Sequence, residues 1–328
     1  MQAPSLSEIK EQSNKLIEHL YKTPVREWDT PLKHDLVGDD TKVVLKLELF
    51  QKTGSFKARG ALTWIDRLSP EQKKNGVVTG TGGNHDIAVA FASKRAQVHA
   101  KIITSKTINP FRLKAIKAYD VDVAQVDSIS LVLNEMKRVA EAENRTIIHP
   151  FESPFITLGT GTLGFEFLDQ VPELDVVIVP IGGGGLASGV SCAVKQINPR
   201  CKVYGVEPVG ANSMYLSLKE GHSLVLPGGP KSIADSLSSP CTEPYSFSIC
   251  QKYVDDVVLI EDDEMRKAMK ILFEDLKLAV EPAAAAATAG LLGPLKNRCA
   301  GLKVGIIVCG SNIDSETFHS LLSTLTVS

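Results

Sequence analysis

The segment Val176-Val177-Ile178-Val179-Pro180-Ile181 is apolar at every position and runs straight into four glycines, Gly182 to Gly185. A strand without a polar face is buried on both sides, which requires a sheet covered by helices front and back. Strand-like stretches at residues 43–50, 76–79, 98–104, 121–126, 203–207 and 303–309 alternate with helical ones at 58–68, 87–95, 110–118, 130–143, 186–196 and 264–278, after a first helix at 6–20. That alternation predicts parallel strands joined by helical crossovers, an α/β fold. Residues 23–40 read as turns, and the Gly-, Pro- and Ser-rich residues 221–248 read as a long loop over a cleft. A length of 328 residues with 43% hydrophobic and 23% charged side chains suggests two domains or one large α/β unit.

Charge and cysteine usage exclude several function classes. With 36 basic against 38 acidic residues and no basic block, neither nucleic acid nor a membrane surface is an expected partner. The start of the chain is polar, and no run reaches the roughly 18 apolar residues of a membrane span, so a cytoplasmic setting is expected. Cys192, Cys201, Cys241, Cys250, Cys299 and Cys309 are scattered, with no paired spacing and no histidine at zinc-ligand spacing. They read as thiols in a reducing compartment.

Three stretches carry chemistry. Gly182 to Gly185 stand between a buried strand and a helix, where backbone N–H groups and the helix N-terminus converge on an anion, a phosphate cradle. Gly182-x-Gly184-x-x-Ala187 also satisfies the dinucleotide pattern, with Glu207 near the spacing of a ribose-binding acid, so a NAD-dependent oxidoreductase is the rival reading from another class. The second stretch is Thr79-Gly80-Thr81-Gly82-Gly83-Asn84-His85, again between strand and helix, whose donors suit a small carboxylate or a ring oxygen; the plainer reading is a tight turn capped by Asn84. The third is Lys52-Thr53-Gly54-Ser55-Phe56-Lys57-Ala58-Arg59-Gly60-Ala61. Lys57 sits where a strand gives way to a helix, and a partly desolvated ammonium there becomes a nucleophile towards an aldehyde. A solvated lysine at a turn is the alternative.

Taken together and in order, these elements resemble the fold type II pyridoxal-phosphate enzymes, in particular the serine/threonine dehydratase and serine racemase group. Ser55-Phe56-Lys57-x-Arg59-Gly60-Ala61 resembles the cofactor-lysine motif, and Gly83-Asn84-His85 the Ser-x-Gly-Asn-His loop. Gly182 to Gly185 are similar to the phosphate loop, Gly205-Val206-Glu207-Pro208 to the cation-site strand and Ile233-Ala234-Asp235 to the cleft segment. Glu281-Pro282 resembles the acid before a helix, and Cys309-Gly310-Ser311-Asn312 the closing Ser-Gly-Gly-Asn. The likeness spans residues 23–314.

The resemblance implies two α/β domains, each an open, mostly parallel sheet flanked by helices: a discontinuous cofactor-binding domain of residues 1–52 and 150–328, and a smaller one of residues 53–149. It implies that Lys57 holds pyridoxal 5'-phosphate through its amine and, once displaced, removes the α-proton. Phe56 packs near the ring, Asn84 bonds its 3-hydroxyl group, Gly182, Gly183, Gly184 and Gly185 hold its phosphate, and Glu281 and Cys309 complete the cofactor site with Cys309 at the pyridine nitrogen. Ser55, Thr81, Gly82, Gly83, Asn84 and His85 bind the amino-acid substrate. A neutral thiol at the ring nitrogen makes a weaker electron sink than a carboxylate would, which favours loss of a β-hydroxyl. The implied activity is elimination of water from a 3-hydroxy amino acid such as L-serine, L-threonine or a close analogue, by a homodimer, with an amino-acid racemase as the alternative on the same scaffold.

Three departures from the group's pattern stand out. Gly82 occupies the place of the racemases' second catalytic serine. The group's cation site, monovalent or divalent, maps to Glu207 and the Ala211 carbonyl, but Ser213 stands where a further carboxylate belongs, which weakens magnesium binding. Asp86 replaces a small or neutral residue; a helix start favours Asp, and a bias of the pocket against dicarboxylates or towards an amino group is the sharper reading. The β-substituent pocket is expected in loops at residues 151–160 and 236–245.

Overall fold

The computed structural model describes residues 1–325. Its strands are β1 (Val25–Trp28), β2 (Lys42–Leu47), β3 (Val77–Thr79), β4 (Ala100–Ser105), β5 (Asp122–Val126), β6 (Thr146–Ile147), β7 (Val176–Pro180), β8 (Lys202–Pro208), β9 (Asp256–Ile260) and β10 (Lys303–Val308). Six form one sheet in the order β1-β2-β10-β7-β8-β9, and four form a second in the order β5-β4-β3-β6. The second sheet is parallel throughout. The first is parallel except for β1, which runs antiparallel on β2. The apolar run that ends in the glycines is β7, buried at every position between β10 and β8, as a strand without a polar face must be.

One buried position breaks the apolar rule. Lys46 of β2 is fully buried, and its ammonium donates to the Thr23 carbonyl at 2.7 Å, Glu166 Oε1 at 2.5 Å and Gln170 Oε1 at 2.5 Å. Arg59 lies beside it with a forked contact to Glu48, Nε–Oε2 2.9 Å and Nη2–Oε1 2.8 Å, and a third bond to Glu166 Oε2 at 3.1 Å. Two cations and two carboxylates thus neutralise one another out of water, the condition under which buried charge is tolerated. They join β2, the helix Lys57–Ile65 and the helix Pro154–Gln170. The two helices cross so closely that a Cβ on Gly159 would lie 2.5 Å from the Arg59 carbonyl oxygen and 2.7 Å from Gly60 Cα. Only glycine fits there, and the crossing sets the angle of the helix that Lys57 begins.

Several segments differ from expectation. Residues 23–40 contain β1 and the short helix Pro31–Val37; a four-residue strand is too short to show a period. Residues 151–160, expected as a loop, open the helix Pro154–Gln170, which Ser153 caps by accepting the Phe155 N–H. That helix is buried around nearly its whole circumference, so it lacks the polar face by which helices are recognised. The same holds for Pro282–Leu292, whose residues are buried from Pro282 to Leu291. The loop over residues 221–248 ends early, because a helix runs from Pro244 to Tyr253.

The charge network yields a stability prediction. Replacing Arg59 by Met leaves Glu48 buried without its principal counter-charge, and losing one partner of a buried ion pair costs about 3–5 kcal/mol. Urea unfolding of Arg59→Met should show a lower midpoint with an unchanged denaturant slope, the product of slope and midpoint shift giving that loss of free energy.

Candidate active site

The candidate site lies at the carboxyl ends of the parallel strands, where open α/β sheets leave a crevice. After β2 the chain makes two 3-10 turns, Glu48–Phe50 and Lys52–Gly54, with Thr53 at φ 70° and Gly54 at φ +70°. Ser55 then forms an antiparallel bridge with Gly310, and the Phe56 N–H donates to the Cys309 carbonyl at 3.1 Å. The lysine segment is therefore fastened to the chain leaving β10. Lys57 Nζ donates to the Pro150 carbonyl at 2.9 Å and stands 5.2 Å from the centroid of the Phe56 ring. Burial pushes its pKa down to about 8, against the opposing pull of Cys309, Asp86 and Glu281.

The groups facing Lys57 are themselves shifted. Burial holds the Cys309 thiol well above its usual range, so it stays protonated. Glu281, 1% exposed, stands just before the helix Pro282–Leu292 without a side-chain bond to its N–H groups, and is pushed by burial up to about 7, with Arg112 opposing. Its Oε1 accepts from Asn84 Nδ2 at 2.6 Å, while Oε2 has no hydrogen-bond partner. Asn84 also accepts from Asn312 Nδ2 at 2.6 Å, and Asn312 Nδ2 lies 2.7 Å from the Thr53 carbonyl. The Ser55 hydroxyl is a second buried polar atom without a partner. Orphaned polar atoms gathered on one cleft fit a polar ligand.

Two cradles of backbone donors flank the amine. The N–H groups of Gly183 through Ala187, leading into the helix Gly185–Ile197, donate to no protein acceptor. The approach is tight: a Cβ on Gly183 would lie 2.3 Å from the Phe151 ring, and Gly184 has φ +93°. Unpaired N–H groups at a helix N-terminus are the donor set a phosphate requires. Across the cleft, the helix Asn84–Ala96 begins with the N–H groups of Asn84 and His85 likewise free. His85 Nε2 lies 2.9 Å from the Ile148 carbonyl, and burial reinforced by Lys57 lowers its pKa to about 3, so the ring is neutral.

Asp86 does more than favour a helix start. Its fully buried carboxylate accepts the N–H groups of Thr81 at 3.1 Å and Gly82 at 2.6 Å and the Thr81 hydroxyl at 2.9 Å. Burial outweighs those bonds and raises its pKa to about 6. The side chain folds back to hold its own loop, which leaves the Asn84 and His85 donors for a ligand.

Glu207 is also occupied within the protein. It accepts the N–H groups of Met214 at 2.9 Å and Tyr215 at 2.7 Å, the first turn of the helix Ser213–Glu220, and burial raises its pKa to about 8. It therefore caps a helix, an arrangement that leaves it unsuited to binding a ribose. Ala211 is buried beside it and the Ser213 hydroxyl has no partner. Among the described residues, no group of three or more His, Cys, Asp or Glu side chains is placed to hold a metal ion.

Sequence reasoning missed Arg112, on the helix Pro110–Lys117. It is paired with Asp235, donates through Nε to the Asn312 carbonyl at 3.3 Å and stands 3.9 Å from Glu281 Oε2. Nothing in its local sequence separates it from the other cations of a surface helix. The Pro150 carbonyl was equally illegible, being a main-chain atom, as was the contact of the Phe151 ring with a glycine some thirty residues away.

Residues 17–310 match the family model described as pyridoxal-phosphate dependent enzyme, and the chain belongs to that family. It is 44% identical to a phenylserine dehydratase of Ralstonia pickettii, over 96% of this chain and 95% of the relative. It is 34% identical to an L-threo-3-hydroxyaspartate ammonia-lyase of Saccharomyces cerevisiae, over 98% of each. The solved structure of maize serine racemase superposes with a TM-score of 0.90 at 36% identity, covering 98% of both chains. The nicotinamide reading falls with the family assignment.

The lowered pKa of Lys57 is directly measurable. In protein free of coenzyme, labelling by an amine-selective reagent should rise through a midpoint near pH 8 at Lys57, about two units below solvated lysines, as read by mass spectrometry of the labelled peptide.

Proposed function

We propose that this chain eliminates water from a 3-hydroxy amino acid, giving a 2-oxo acid and ammonia. The observation that carries the reading is an amine with its pKa lowered to about 8, set between two clusters of unpaired backbone N–H groups. Pyridoxal phosphate, when bound, supplies an electron sink for the pair left on Cα. Lys57 would hold it, with Phe56 against the ring, Asn84 at the 3-hydroxyl, the N–H groups of Gly183, Gly184 and Gly185 on the phosphate beside Gly182, Glu281 behind Asn84, and Cys309 at the pyridine nitrogen.

The chain's own groups then do the following. The Asn84 and His85 N–H groups orient the substrate carboxylate at the helix N-terminus, with Gly83 and Ser55 lining the approach. Lys57 Nζ takes the proton from Cα, and its lowered pKa keeps a useful fraction of the amine neutral near pH 7–8. The hydroxyl departs from Cβ as water, taking up the proton that Lys57 removed from Cα and leaving the amine neutral again. The released enamine becomes a 2-oxo acid and ammonia in solution. Cys309, kept protonated by burial, would offer the pyridine nitrogen a neutral partner rather than a charge, and so a weaker electron sink than a carboxylate would give.

Racemisation needs a second proton-carrying group on the opposite face of the substrate. Gly82 offers none, and the neighbouring Thr81 hydroxyl is committed to Asp86, so elimination is the better-supported reading. Six cysteines without a disulfide among them support a reducing, cytoplasmic setting. The homodimer, and a smaller domain of residues 53–149, extend the reading on the family resemblance alone.

The test is a 2-oxo acid assay with parallel chiral analysis over serine, threonine and phenylserine. Wild type should release oxo acid, and borohydride should leave a coenzyme-sized mass increment on the Lys57 peptide. Lys57→Ala should lose at least about 10³-fold in rate, the scale of removing a catalytic base. D-isomer formation without oxo acid would establish the racemase instead.

A further inference from the structure

Gly82 and Gly83 carry no side chains, and they leave open the space above the loop that Asp86 holds. A Cβ on Gly83 would meet nothing within 4 Å, and one on Gly82 would meet only Ile129 Cδ1, at 3.6 Å. Ile129 begins the helix Ile129–Ala142. That helix buries Val132, Met136 and Val139 against the four-stranded sheet, with Val132 Cγ1 2.7 Å from where a Cβ on Gly80 would stand. Its first turn is thereby fixed over the glycine loop. Ile129 is nevertheless 59% exposed, and Leu133, four residues on and hence on the same side of the helix, is 49% exposed. Two exposed apolar side chains one helical turn apart thus form a ledge beside a polar loop.

We infer that Ile129, with Leu133 behind it, adds a wall to the β-substituent pocket expected at residues 151–160 and 236–245, and that the site selects an aryl or similarly apolar substituent over a carboxylate. The inference rests on the reading that the Asn84 and His85 N–H groups take the α-carboxylate. A group on Cβ is then three bonds from that carboxylate carbon and within reach of the space over Gly82. A phenyl ring placed there covers the isoleucine and leucine methyl groups, the contact that hydrophobic specificity pockets use. For a second carboxylate placed there, the cation on this side of the helix outside any salt bridge, Lys137, stands eight residues beyond Ile129, about 12 Å along the helix axis. Arg112 is paired with Asp235, Lys57 belongs to the coenzyme, and the Asp86 carboxylate lies directly under Gly82, its Oδ2 2.6 Å from that N–H. Like charge at short range in a buried setting is strongly disfavoured.

The test compares kcat/KM for threo-phenylserine and threo-3-hydroxyaspartate on the coenzyme-loaded enzyme, wild type against Ile129→Arg and Ile129→Ala. Wild type should prefer phenylserine. The phenylserine to hydroxyaspartate ratio should fall by about tenfold in Ile129→Ala, in keeping with lost hydrophobic contact, and by about a hundredfold in Ile129→Arg, which adds a cation for the acid. A ratio that moves less than about threefold in Ile129→Arg, or a wild type that prefers hydroxyaspartate, overturns the inference. Because Ile129 is on the surface, both variants should fold. Perturbation of the coenzyme's visible absorbance by the same two amino acids gives the binding ratio without turnover. An enzyme that binds phenylserine selectively through Ile129 yet releases no oxo acid would sink the lyase reading and leave this one standing.

Discussion

The guanidinium of Arg59, enclosed by Glu48 and Glu166, is the contact on which the placement of the reactive amine depends. It ties the helix that Lys57 opens to the end of β2 and to the helix Pro154–Gln170. A bidentate guanidinium–carboxylate pair is directional in a way apolar packing is not. The site gains geometric definition from it: the lysine two residues upstream cannot shift without breaking several buried charge-assisted bonds. The glycine at position 159 serves the same end by steric means, letting the two helix backbones touch.

Burial then tunes the chemistry. The same desolvation that lowers Lys57 raises Cys309, Glu281 and Asp86, because a low-dielectric cleft disfavours charge of either sign. The cleft therefore holds an amine and carboxyl groups whose pKa values are drawn towards physiological pH, beside a thiol that stays protonated. Charged contacts are kept to its edges, at Arg112 with Asp235.

Much of this was readable from residue order alone. The unbroken apolar run of β7 required a doubly covered sheet, and the glycines after it required a close backbone approach. Lys57, Asn84 and the glycine loops could be named because each lies at a strand-to-helix junction with a distinctive local composition. What escaped had no local signature. The helices Pro154–Gln170 and Pro282–Leu292 are buried on nearly every side, so the amphipathic period that reveals a helix is missing. The role of Asp86 depends on the side chain turning back onto the loop preceding it, and the acid of Glu207, in a motif suggestive of cation or ribose binding, turns to a helix start seven residues later. Arg112 acquires its partners only through contacts more than a hundred residues distant.

The bridge between Ser55 and Gly310, reinforced by Asn312 reaching the Thr53 carbonyl across 259 residues, bears on the order of events during synthesis. Chains fold as they emerge from the ribosome, earlier segments first, but the wall behind the lysine is built from a strand near the far end of the sequence. The four-stranded sheet has all its strands long before β10 exists, whereas the cleft gains its floor only when β10 inserts between β2 and β7. A nascent chain halted short of β10 would therefore carry Lys57 without the strand that forms the wall behind it.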